Sequence, residues 1–263
     1  LEHYYNPLLF TSFRKVHIHF LTPVLLSNES LEQSDTIIAN SQKLGISADF
    51  LKLYYELIQG HYESPLEKIY PYLARLLQID WNKWAKEYYN EFSPVEWELN
   101  ELARNFPHYL SKLSSQNKIP DYLVELAHYE WQEFATYVDE ENEKEILTNI
   151  KPGYLALNPT VSALTFKYNI GLWIFELEKN NFDTKPKKED NILIFNRDPE
   201  TLLCIFTKAS RISLSILQLL LEFNEPIEKE DLISNIMSNF NDIDKQFLVD
   251  EIAFLQKQRI LLG

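Results

Sequence analysis

The sequence predicts an α+β protein: an N-terminal all-helical domain over residues 1–150, then a small winged-helix-like domain over 151–263 with a three-stranded antiparallel sheet. Three observations carry this. Apolar residues recur at helical spacing through the first half, punctuated by capping signals. Beyond about residue 150 the period changes to short segments rich in β-branched and aromatic residues. Three further stretches with helical spacing close the chain, and strands followed by helices define a small α+β unit. Only five glycines in 263 residues favour long helices over a glycine-turned sheet architecture.

The elements follow in order. The N-terminal 25 or so residues suit a helix, and "SADFLKLYYELIQG" a second, with Ser47 as N-cap and Gly60 as C′ residue. "SPLEKIYPYLARLL" opens on a capping box, in which Ser64 and Glu67 satisfy free amides and Pro65 takes the first helical position. The same signal returns at Ser93, Pro94 and Glu96, and Asp80 is placed to cap "WNKWAKEYYNEF". Pro71 and Pro107 fall inside helical patterns, so a kink or break is expected at each. "PDYLVELAHYEWQEFATYV" is the clearest helix, with Leu123, Ala127, Trp131, Phe134 and Val138 on one stripe. The acidic run "DEENEKE" after it reads as a linker and as the domain boundary. "SALTFKYNIGLWIFELE", "NILIF" and "LLCIFTK" read as strands, with "NRDPE" as the turn between the last two. "SLSILQLLLEF", "EKEDLISNIMSNF" and "DIDKQFLVDEIAFLQKQ" complete the order as helices.

Composition narrows the function classes. A net charge of −14 and a pI near 4.9 oppose general affinity for nucleic acid, because phosphate binding needs accumulated Lys and Arg. The single Cys204 permits no intramolecular disulfide and no cysteine zinc site of its own. No apolar run approaches the ~18–20 residues that span a bilayer. A cytoplasmic protein without membrane partners is expected.

Metal and catalytic signals are sparse. Glu125 and His128 have the Glu-x-x-His spacing of carboxylate-bridged di-iron bundles, but such a site needs a second copy on a facing helix, and the chain has none. His17 and His19 share a face only on a strand, and no carboxylate cluster follows them. Cys204 sits among apolar residues, where nothing lowers its pKa. No nucleophile elbow, Walker A loop or dinucleotide fingerprint is present. The sequence therefore predicts no catalytic residue and no metal ligand.

The winged-helix pattern has two known uses. In DNA recognition the third helix enters the major groove, but here it carries Asp242, Asp244, Asp250 and Glu251. A DNA-binding regulator is the alternative reading. In the other use, an open sheet edge accepts an extended peptide as an added strand. Sequential strand order makes Leu202–Thr207 that edge, and Leu203, Ile205, Thr207, Phe254 and Leu255 the candidate peptide-binding residues.

A family resemblance bears on the choice. "LYYELIQGHYESPLEKIYPYLARLLQIDWNKWAKEYYNEFSP", "LARNFPHYLS" and "IPDYLVELAHYEW" resemble, in order and spacing, the HvfC-type partner proteins of multinuclear non-haem iron-dependent oxidative enzymes. The stretch from "ILIFNRDPETLLCIFTKASRISLSILQLLLEF" to "VDEIAFLQKQRILL" is similar to the PqqD-like precursor-peptide recognition element. The "EKNNFDTKPKKED" insertion departs from that pattern. The resemblance implies a non-catalytic partner subunit that binds a ribosomal precursor peptide and presents it to an iron-dependent oxidative enzyme. The iron is then expected in the partner, with no cofactor in this chain.

Overall fold

The computed structural model describes residues 65–92, 101–239 and 244–263, together with Ser47, Asp49 and Leu53. The expected helix of the first 25 residues, His17, His19, and the caps at Ser64 and Ser93 lie outside these residues. The architecture is mixed α+β, and the described residues form two small three-stranded antiparallel sheets where the sequence predicts one. The chain divides into two compact units, Leu1–Ala127 and His128–Gly263.

In the first unit, both suspect prolines start helices. The helical turn at 65–69 breaks at Tyr70, and Pro71 opens α1 (Pro71–Leu77). A 3-10 turn over Gln78–Asp80 leads into α2 (Trp81–Glu91). Asp80 holds the N-cap position, but it is already helical in backbone and its side chain makes no capping bond, unlike the expectation. Pro107 lies in the first turn of α3 (Phe106–Ser115), where its missing N–H costs nothing. The long helix α4 (Asp121–Tyr137) begins one residue after Pro120.

The core of this unit is aromatic, with Phe106 at its hub. Its ring lies 5.0 Å from Tyr70, 5.5 Å from Trp81 and 5.2 Å from Tyr88, the last two edge-on. Edge-to-face packing sets the positive ring edge against the negative face. The Tyr70 hydroxyl donates to the Ala103 carbonyl at 2.7 Å, so the buried polar end of that ring is satisfied.

The second unit contains α5 (Glu143–Asn149), β1 (Tyr154–Leu157), β2 (Ser162–Tyr168), α6 (Ile170–Glu178), β3 (Lys188–Arg197) and β4 (Cys204–Lys208). Helix α7 (Arg211–Phe223), β5 (Ile227–Glu228), α8 (Lys229–Asn239), α9 (Lys245–Lys257) and β6 (Leu261–Leu262) follow. One sheet has the order β5-β1-β6, the other β2-β3-β4. The segment read as a single strand at 162–178 is a strand followed by a helix. Asn169 ends β2 and caps α6, its side chain accepting from Leu172 N at 3.2 Å. Ile170, Trp173, Ile174 and Leu177 then bury one helical face.

Strand β3 is the centre of its sheet and is buried on both faces. Ile194 joins the core formed with Ile216 and Leu220 of α7, Leu232 of α8, and Leu248 and Ile252 of α9. On the opposite face, Phe195 meets Tyr129 of α4 with ring centres 5.5 Å apart. Continuous burial explains why "ILIF" is uniformly apolar.

The acidic stretch read as a linker is instead held in place. Arg197, at the end of β3, binds Glu143 through two parallel hydrogen bonds of 2.6 and 2.9 Å. Its other donors reach the carbonyls of Tyr137, Asp139 and Glu141, the last at 2.6 Å. Both side chains are buried. A planar guanidinium satisfies all these acceptors at once, which an ammonium does not.

Removing one member of a buried ion pair strands the other charge, at a cost of about 3–5 kcal/mol. Arg197→Ala is therefore expected to lower unfolding free energy by that amount in urea titrations, and Arg197→Lys to recover only a minor part.

Candidate functional site

Among the described residues, strand β4 pairs with β3 alone, through Leu193↔Lys208, Ile194↔Thr207, Phe195↔Phe206, Asn196↔Ile205 and Arg197↔Cys204. Two bonds bracket the ladder and set its phase. Ala209 N donates to the Ile192 carbonyl at 2.8 Å, and Asp198 N to the Leu203 carbonyl at 2.9 Å. In an antiparallel ladder hydrogen-bonded pairs alternate, so Ile205 and Thr207 turn their peptide groups toward β3. Cys204, Phe206 and Lys208 turn theirs outward. Among the described residues, no main chain pairs with this outer edge.

Each side of the edge has its own wall. Cross-strand partners share a face, so Leu193, Phe195, Phe206 and Cys204 lie on the side covered by α6 and the end of α4. Helix α6 approaches closely there because residue 171 is glycine. A Cβ at Gly171 would come within 3.2 Å of the Phe206 ring and 3.4 Å of Leu193. Phe175, one helical turn on, sits 5.8 Å from Phe206, ring centre to ring centre. On the other face, Asn196 donates to the Gln258 carbonyl at 3.0 Å and anchors the end of α9 beside Ile205 and Thr207.

A cavity of about 350 Å³ opens along this edge. Leu172 and Phe175 of α6 line it on one side, Phe254 and Gln258 beside α9 on the other, and Phe206, Thr207 and Lys208 between them. Its apolar rim is accessible: Leu172 is 63%, Phe175 46% and Phe254 40% exposed. Lys208 pairs with Glu189 at 2.8 Å, and Glu189 also accepts from Asn169 at 3.0 Å. These two partners, Lys208 first, hold the Glu189 carboxyl below the usual carboxylate range.

The five residues singled out from sequence have different placements. Thr207 is buried and lines the cavity, and Phe254 lines it from α9. Ile205 is half-buried on the α9 face. Leu203 is 60% exposed and precedes β4 in the turn. That turn starts later than composition suggests, since Asn196 and Arg197 belong to β3. The Asp198 carboxylate accepts from Glu200 N and Thr201 N, and Leu202 adopts a left-handed backbone with φ 61°. Leu255 is fully buried in the core with Leu248 and Ile252. Leu172 and Phe175 escaped sequence reasoning. The helical spacing of Ile170, Trp173, Ile174 and Leu177 marks the buried face and leaves these two on the opposite one.

Other candidate chemistry is quiet. Glu125 is half-buried and His128 exposed on α4, and among the described residues no group of three or more His, Cys, Asp or Glu can hold a metal ion. Burial pushes the Cys204 thiol up to about 12, with the Glu133 charge adding and a hydrogen bond from Thr136 opposing. Burial, joined by the Glu178 charge, raises the Glu133 carboxyl, and a hydrogen bond from Tyr129 opposes the shift. Among the described residues no helix is long and apolar enough to cross a membrane. No family model matches the chain, and no curated protein matches it.

Two outcomes follow. Cys204 should react with iodoacetamide at pH 8 more than about a hundredfold slower than a free thiol, since only the thiolate attacks, with Glu133→Gln speeding the reaction. Because the Glu133 pKa is raised in the fold, its charged form weakens the native state at neutral pH. Glu133→Gln should raise the melting temperature at pH 7, and the gain should fade as pH falls toward the unfolded carboxyl range.

Proposed function

We propose that the chain is a non-catalytic partner subunit that captures a ribosomal precursor peptide as an added strand on β4 and presents it to an iron-dependent oxidative enzyme. The second unit then serves as a winged-helix-like peptide-recognition element: sheet β2-β3-β4, followed by helices α7, α8 and α9. One observation carries the reading. The outer edge of β4 offers the amides and carbonyls of Cys204, Phe206 and Lys208 beside an apolar cavity. An exposed edge left flat invites aggregation, and walls of helix on both sides restrict entry to a single extended segment.

The enzyme partner rests on the family resemblance of the helical half, with iron belonging to that partner and no cofactor in this chain. Helix α9, which a DNA reader would place in the major groove, sets Asp250 and Glu251 against Lys245 and Lys257 and starts at Asp244, so it carries no net positive charge. Nucleic acid is a poor partner for such a surface.

Co-expression with a multinuclear non-haem iron oxidase and its ribosomal precursor peptide tests the assignment. The three are expected to co-purify as a complex, and an enzyme that never associates with the chain overturns it. The edge itself is tested by proline. Lys208→Pro removes an outward N–H while leaving the β3 ladder intact, as edge strands tolerate. It should abolish retention of the precursor peptide, whereas Lys208→Ala, which loses only an exposed ion pair, should keep it. Ile205→Pro breaks a ladder bond to Asn196 and is expected to unfold the sheet instead.

A further inference from the structure

We infer that the guest segment is read on both faces, so that it must carry a contiguous apolar run and not an alternating apolar-polar pattern. This deepens the strand-addition reading and rests on it. The argument starts from strand geometry. Successive side chains of an added strand point to opposite faces of the sheet. A guest residue opposite Phe206 lies on the Phe206 face, where Leu172 and Phe175 await it. The next guest residue, opposite Thr207, lies on the other face against Phe254.

Leu172 and Phe175 on one side and Phe254 on the other are large apolar side chains exposed in the free chain, with Thr207 and Gln258 beside Phe254. A polar residue against Leu172 and Phe175 would lose water without a hydrogen-bond partner from either side chain, and one against Phe254 would forgo the apolar contact offered there. Strands covered on both faces are continuous hydrophobic runs for this reason, as "ILIF" of β3 already shows within the same sheet.

The occupant is a single extended peptide and not a second copy of this chain. A second β4 edge would bring its own α6 and α9 walls, which meet those of the first copy on each face. The cavity, at about 350 Å³, is near the small end of ligand clefts, about 300–1,000 Å³. It accommodates a few side chains, not a walled sheet edge. The net charge of −14 favours basic residues flanking the apolar run.

Two fluorescein-labelled peptides of identical composition separate the cases: Lys-Ser-Val-Ile-Leu-Thr-Ser-Lys, with a contiguous run, and Lys-Val-Ser-Ile-Thr-Leu-Ser-Lys, which alternates. Fluorescence anisotropy with the full chain should show the contiguous peptide binding at least tenfold tighter. Phe175→Ala and Phe254→Ala should each weaken it and shrink the preference, and Lys208→Pro should remove binding. Equal affinity for the two peptides overturns two-faced reading while leaving strand addition in place. Binding of neither peptide, with retention of the precursor peptide also absent, overturns both. A concentration-dependent dimer that Lys208→Pro abolishes assigns the edge to a second copy and overturns the choice of occupant.

Discussion

The second unit depends on a buried guanidinium. Arg197 gathers Glu143 and three backbone carbonyls from the segment between α4 and α5, and thereby turns an acidic stretch into a fixed wall. The residue sits at the last ladder position of β3, directly opposite Cys204 at the start of β4. The same backbone is held from the other side, since Asn158 donates to the Arg197 carbonyl at 2.9 Å and Thr160 accepts from its N–H at 2.9 Å. One end of the β3–β4 hairpin is therefore pinned through both the side chain and the main chain of Arg197. An unpaired charge in that place would be costly, which is why the surrounding acceptors are so complete.

With β3 fixed and covered, β4 is the part of that end left with a choice. Its inward peptide groups are committed to β3, and no main chain among the described residues takes its outward ones. The helices on either side are placed by different means, α6 by the close approach that Gly171 permits and α9 by the core under Leu248, Ile252 and Leu255. The result is an edge that is open along one direction and walled along two. Walls on both faces of an edge stand against its pairing with a broad sheet.

Much of this was legible in advance, though unevenly. Helices α7, α8 and α9 follow from spacing, and the structure adds caps, Ser210 and Asp244 accepting first-turn amides of α7 and α9. The edge position of β4 followed from sequential strand order. Helix α6 was missed because its β-branched and aromatic composition matches a strand, while only the period distinguishes a helix. The Arg197–Glu143 pair spans 54 positions, and no local pattern announces it. The sequence places Leu255 and Phe254 together in the groove, but only Phe254 lines it and Leu255 is buried. A helix rotates adjacent residues by about 100°, so one of them enters the core and the other faces the cavity.

By itself the sequence determined the long helix α4, helices α7, α8 and α9 and the β3–β4 pair, that the chain is acidic overall, and that its single thiol sits in an apolar strand. These are local or compositional properties, carried by side-chain spacing and charge. Only the tertiary structure decided which face of β4 each residue occupies, that α6 stands opposite α9 across the open edge, and that an acidic stretch is anchored. Those outcomes depend on ladder phase and on contacts between residues far apart in the chain, where a shift of one residue exchanges the two faces of a strand.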